Sequence, residues 1–185
     1  TVDYAGFGDY QDFSLCRAYQ AAVLGLAGDR YERVTLKGVW NHMRAIDVLV
    51  SLAGLGSDLP KVSETSIGTI GHSLGGSHSL FLALFDPRVK AVVTSCGFTT
   101  FRAYAFSPLW QDNPEHPERK GWYGTVAGWA RRDKYMPLIE ERFGCDPAAL
   151  PFDFDDILVA LAPRPIFVNA PLQDPTFPYS AVDEE

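Results

Sequence analysis

One serine in a glycine-rich run holds most of the chemistry that this chain can offer. In Ile70-Gly71-His72-Ser73-Leu74-Gly75-Gly76, glycines stand two residues before and two residues after Ser73. That spacing suits a turn too tight for larger side chains. Such a turn lifts the hydroxyl clear of a sheet and aims the next backbone N–H, that of Leu74, at a developing oxyanion. The pattern G-x-S-x-G is weak by itself, and its flanks strengthen it. Residues 66–70 form a short β-prone run, and residues 74–85 read as a buried helix stopped by Asp86-Pro87. Strand, sharp turn and helix are what a nucleophile elbow requires. Ser73 is therefore the expected nucleophile, Gly71, His72 and Gly75 shape the elbow, and Leu74 N–H is half of an oxyanion hole.

A serine nucleophile needs a base, and the base needs an orienting acid. Asp174 lies in Ala170-Pro171-Leu172-Gln173-Asp174-Pro175, just past the last clear β-prone run, residues 165–170. Sites in parallel sheets collect at the carboxyl ends of strands, so Asp174 is the expected acid. A turn aspartate before proline is its alternative role. Asp155 and Asp156 compete, but they fall at a helix start, where the dipole favours carboxylates in any case. No histidine fits the base. His42, His72, His78 and His116 all precede Asp174, whereas the order serine, acid, histidine places the base after it. His72 should point away from Ser73 by strand alternation. His42 and His78 fall on helices as core histidines, and His116 falls in a polar loop.

The elements that must position these groups alternate along the chain. A helical stretch is expected near residues 14–26. A firmer helix covers about residues 38–53, with Val39, Met43, Ile46, Leu49, Val50 and Ala53 at three- and four-residue spacing. Val89–Ser95 is a near-continuous β-branched run, suited to a parallel strand covered on both faces. Residues 98–135 are aromatic without a clean period and stand where a lid would, although a hydrophobic cap packed on the sheet explains them equally well. Residues 154–161 read as a helix with Asp153 as N-cap. Strands alternating with helices define one α/β domain over residues 1–185, with a doubly wound, mostly parallel sheet.

Composition narrows the partners. A formal charge of −7 over 185 residues argues against nucleic acid, which wants a basic stripe. No apolar run reaches the roughly 18–20 residues that span a bilayer. Cys16, Cys96 and Cys145 are odd in number and widely spaced, and read as core or surface thiols. No cluster has metal-ligand spacing and no phosphate loop is present, so neither a metal nor a cofactor is expected.

The chain resembles α/β-hydrolases of the dienelactone hydrolase and prolyl oligopeptidase-like superfamily, above all proteins of the acetyl xylan esterase-like kind. The resemblance runs from about residue 3 to residue 178. It rests on Asp3-Tyr4-Ala5-Gly6-Phe7-Gly8, Lys37-Gly38-Val39-Trp40-Asn41-His42-Met43-Arg44-Ala45-Ile46-Asp47 and the elbow. It rests also on Asp86-Pro87-Arg88-Val89-Lys90-Ala91-Val92-Val93, Ser95-Cys96-Gly97-Phe98-Thr99 and Ala160-Leu161-Ala162-Pro163-Arg164-Pro165. It implies Ser73 as nucleophile and Asp174 as triad acid, acting on a small-molecule or carbohydrate ester without a cofactor. The family's histidine would then follow one further strand beyond residue 185, and its early strands and second oxyanion donor would precede residue 1. On that expectation the 185 residues are an internal piece of a larger hydrolase, with the sheet incomplete at both ends. Alone it would be inactive and prone to aggregate through its open edges. Amide hydrolysis, as in oligopeptidases, and a non-catalytic binding module are the alternatives.

Overall fold

A computed structural model describes residues 34–52, 62–104, 129, 136, 138–174 and 176–183. The elements run α1 (Val34–Leu52), β1 (Ile67–His72), α2 (Leu74–Phe85), β2 (Val89–Ser95), α3 (Phe101–Tyr104) and α4 (Leu138–Phe143). A short 3-10 turn (Pro147–Ala149), α5 (Phe154–Leu161), β3 (Ile166–Asn169) and α6 (Tyr179–Asp183) follow. The helix expected near residues 14–26, His116 and most of the aromatic stretch lie outside the described residues. Among the described residues, no helix is long and apolar enough to cross a membrane.

The three strands form one sheet in the order β1-β2-β3, and both pairings are parallel. β2 is central, as its unbroken β-branched run requires. Thr69, Val92 and Thr94 face α2, and the Thr69 hydroxyl donates to Ser79 Oγ at 3.2 Å. α1 and α5 both pack against α2. The opposite face carries Ile70, Val93 and Phe167 in register, with Ile70 78% and Phe167 64% exposed.

α2 is apolar around most of its circumference and is buried from Gly76 to Ala83. It is the mainstay of the core. Phe81, Phe98, Phe101, Trp129 and Phe154 form an aromatic cluster beside it. Phe98 stacks on Phe154 at 5.3 Å between ring centroids, and Phe101 meets Trp129 edge-on at 5.9 Å. Phe98, Phe101 and Trp129, the described aromatic residues of the stretch that are buried, belong to this core. α1 begins a turn earlier than the Gly38 expected from the sequence. Gly38 is buried within the helix, and Thr35 and Val39 pack inward on either side of it. Tertiary burial here outweighs the modest helix cost of one glycine, about 1 kcal/mol. Val39 and Ile46 reach the core, whereas Leu49 stays half exposed.

A polar knot locks α1 to the turn between α2 and β2. Asp86 is 1% exposed. The Arg88 guanidinium donates to both of its oxygens, at 2.9 and 2.6 Å, and to Asp47 Oδ1 at 2.6 Å. These bonds hold the Asp86 carboxyl below the usual carboxylate range. Removing one partner of a buried pair leaves an uncompensated charge, at a cost of about 3 kcal/mol or more. Arg88→Met should therefore destabilise the full-length protein by about that amount in urea titrations at pH 7. Arg88→Met combined with Asp86→Asn should recover much of the loss.

Candidate active site

Ser73 occupies the single residue between β1 and α2. Its φ of 52° and ψ of −121° place it in a region that side chains rarely adopt. Backbone of this kind costs about 1–3 kcal/mol and persists only where the surroundings over-determine it. They do so here. Ser73 N–H donates to Ser95 O at 2.8 Å, and its carbonyl accepts from Gly76 N–H at 2.8 Å and Ser77 N–H at 3.1 Å. The Ser73 side chain does not cap α2, and it is exposed. The turn thus presents a hydroxyl at the carboxyl end of β1, directly before the first turn of α2.

Sterics separate the glycines. A Cβ on Gly71 would stand 2.0 Å from the carbonyl oxygen of Gly75, so the chain must be bare there. A Cβ on Gly75 would meet nothing within 4 Å. The second residue that must be glycine is Gly76, whose Cβ would lie 2.7 Å from Gly97 Cα. Gly97 answers it, since its own Cβ would lie 2.1 Å from Thr94 Oγ1. Ser77 Oγ donates to the carbonyl of Gly97 at the same contact. The motif spacing points to Gly75, whereas packing requires a bare chain at Gly76, against Gly97. The doubled glycine and Ser95-Cys96-Gly97 were the available signals.

Asp174 follows β3 in a turn closed by Asp174 N–H to Pro171 O at 3.1 Å. Its Oδ1 accepts from the N–H groups of Thr176 at 2.8 Å and Phe177 at 3.0 Å. The turn role is therefore real, and it holds the carboxylate in place. The carboxylate also faces Cys96, which leaves β2 with a φ of 47°. Burial pushes the Cys96 thiol up, a hydrogen bond with Ser95 opposes this, and the Asp174 charge adds to the rise. Asp155 and Asp156 behave as helix-start carboxylates, and Asp156 completes a capping box with Asp153. Ser73, Cys96 and Asp174 thus come to the same end of the sheet.

The described histidines are not placed as a base for Ser73. His72 points to the sheet face opposite α2, where Nδ1 lies 3.2 Å from Ser95 Oγ. His78 is 2% exposed and packs edge-on against His42 and Phe81. Burial, and then the charge of His42, push His78 down to about 3, and burial lowers His42 as well. In the unfolded chain His78 takes up a proton below about pH 6.5, while the folded protein refuses it until about pH 3. Its neutral burial thus stabilises fully above pH 6.5, and that stability is lost as pH falls towards 3. The urea midpoint should fall between pH 7.5 and 4.5, and His78→Leu should flatten that fall. Among the described residues, no group of three His, Cys, Asp or Glu could hold a metal ion.

The fold and the place of this site define an α/β protein with a parallel sheet of the α/β-hydrolase type. Solved structures that resemble it include carbohydrate esterases. A CE15 glucuronoyl esterase from Caldicellulosiruptor kristjansonii superposes with a TM-score of 0.60 at 18% identity, over 85% of this chain and 41% of that one. A CE15 glucuronoyl esterase from Teredinibacter turnerae T7901 gives 0.54 at 18% identity, over 78% and 31%. Acetyl xylan esterase 1 from Thermoanaerobacterium sp. JW/SL YS485 gives 0.39 at 20% identity, over 97% and 49%. The fold assignment rests on the two glucuronoyl esterases, and the chain spans less than half of either. No protein-family model and no curated protein sequence matches the chain.

Proposed function

We propose that the protein is a serine hydrolase of carboxylic esters, with a carbohydrate ester as substrate. Ser73 attacks the acyl carbonyl and Leu74 N–H receives the oxyanion. Asp174 orients a histidine other than His42, His72 or His78, which carries the proton from serine to the leaving alcohol. Water then hydrolyses the acyl-enzyme. The observation that carries this reading is the backbone of Ser73, held at φ 52° on a strand-to-helix turn at the same end of the sheet as the Asp174 loop. Strain of this kind at an exposed serine has a functional rationale in presenting a nucleophile. The esterase names of the fold neighbours and the resemblance to acetyl xylan esterase-like proteins support an ester as the substrate.

The test is labelling of the full-length protein with a fluorophosphonate probe, followed by hydrolysis of acetylated xylooligosaccharides and of glucuronoyl esters. Labelling that is lost in Ser73→Ala supports an activated serine. A folded protein that stays unlabelled overturns the reading.

A further inference from the structure

Ser95 ends β2, the strand that lies between the one leading into the Ser73 turn and the one leading to the Asp174 loop. Parallel pairing sets His72, Ser95 and Asn169 side by side in one row across the three strands. Adjacent strands lie about 4.8 Å apart, so a short hydroxyl in the middle strand can reach both neighbours. Asn169 Nδ2 donates to Ser95 Oγ at 2.9 Å, and His72 Nδ1 lies 3.2 Å from that oxygen on the other side. A hydroxyl both accepts and donates, so with the carboxamide donating the Ser95 hydroxyl can still pair with His72 Nδ1, and Cys96 Sγ lies 3.9 Å from the same oxygen. The main chain doubles this row. Ser95 O accepts Ser73 N–H, and the next residue, Cys96, donates its N–H to Asn169 O at 2.9 Å.

We propose that the Ser95 hydroxyl is a positioning group which, through His72 and Asn169, holds the Ser73 turn and the Asp174 loop in one fixed relation. This rests on the reading of Ser73 and Asp174 given above. Asp174 lies five positions after Asn169, and beyond Asn169 the loop is held by local turn hydrogen bonds and by the contact of Asp174 with Cys96, the residue that follows Ser95. A slip at Asn169 therefore passes directly to the acid.

The test uses the full-length protein with Ser95→Ala, Ser95→Thr, Asn169→Ala and the double variant Ser95→Ala/Asn169→Ala. Misplacement of catalytic groups by about 1 Å can cost up to about a hundredfold in rate. Each alanine variant should lose about tenfold or more in kcat on p-nitrophenyl acetate, with KM within about twofold. The double variant should be no worse than the poorer single, since both break one link, and Ser95→Thr should restore most of the rate. Amide exchange in residues 170–177 should speed up in Ser95→Ala. Unchanged kcat in Ser95→Ala and Asn169→Ala, with the wild type active, overturns the positioning role and leaves the esterase standing. A wild type without activity or labelling overturns the function, and the exchange experiment then decides the link alone. Unchanged exchange in residues 170–177 overturns the link in either case. Should Ser95→Ala fail to fold, Asn169→Ala, at an exposed side chain, carries the same comparisons.

Discussion

Replacing Ser73 by alanine should abolish ester hydrolysis and fluorophosphonate labelling of the full-length protein, with kcat lower by about ten-thousandfold or more. The reason is chemical. The hydroxyl is the only part of the residue that alanine lacks, and the covalent route to the acyl-enzyme goes with it. Folding should be unaffected, because the Ser73 side chain does not cap α2 and its backbone bonds to Ser95, Gly76 and Ser77 are kept. Ser73→Gly sharpens the test. It removes the same hydroxyl and also the Cβ that makes φ 52° costly, so it should melt about 2–4 °C above the wild type, as a gain of about 1 kcal/mol implies. Loss of activity with a gain in stability is the mark of a residue strained for function. If Ser73→Gly is no more stable than the wild type, strain at the turn is not a cost that function sustains.

The second large effect falls on the glycines. Gly71→Ala should cost about 3 kcal/mol or more and remove activity, whereas Gly75→Ala should leave the urea midpoint unchanged or slightly raised. Overpacking ordinarily costs about 1–3 kcal/mol because side chains can shift. At Gly71 the obstacle is the Gly75 backbone, 2.0 Å from the new methyl, and backbone in the first turn of a buried helix has nowhere to go. Relief would mean opening the turn that presents Ser73. Gly75 has open space around its Cβ position and sits within α2, where alanine is favoured over glycine by up to about 1 kcal/mol. Gly97→Ala should resemble Gly71→Ala in stability, since its methyl would run into Thr94 Oγ1 and the Gly76 backbone. Urea titration of the three variants checks the ranking. Equal tolerance of Gly71→Ala and Gly75→Ala would contradict the packing described here.

Local chemistry made much of this protein legible from its residues alone. Val89–Ser95 is a strand wherever it is placed, because a run of β-branched residues pairs well on both sides, and its bounds agree with the expected ones. Leu74–Phe85 is a helix ended by Asp86-Pro87, and α5 opens on the Asp153 cap, since capping and proline chemistry act within a turn of the chain. The exposed turn at Ser73 was likewise written in its own neighbours.

Contacts between distant residues were decided only in three dimensions. Which glycine must be bare depends on the approach of the Gly97 loop to α2, which a pattern of Gly, Ser and Gly does not encode. The start of α1 depended on what Thr35 packs against, not on the helix propensity of Gly38. That Phe98, Phe101 and Trp129 surround Phe154 is a matter of packing between segments some 25 to 56 residues apart, which the aperiodic aromatic run does not encode. The row of His72, Ser95 and Asn169 exists because parallel register aligns three strand ends that lie 23 and 74 residues apart in sequence. Sequence spacing determines the chemistry available at each strand end, and the pairing of the strands determines which of those ends share a site.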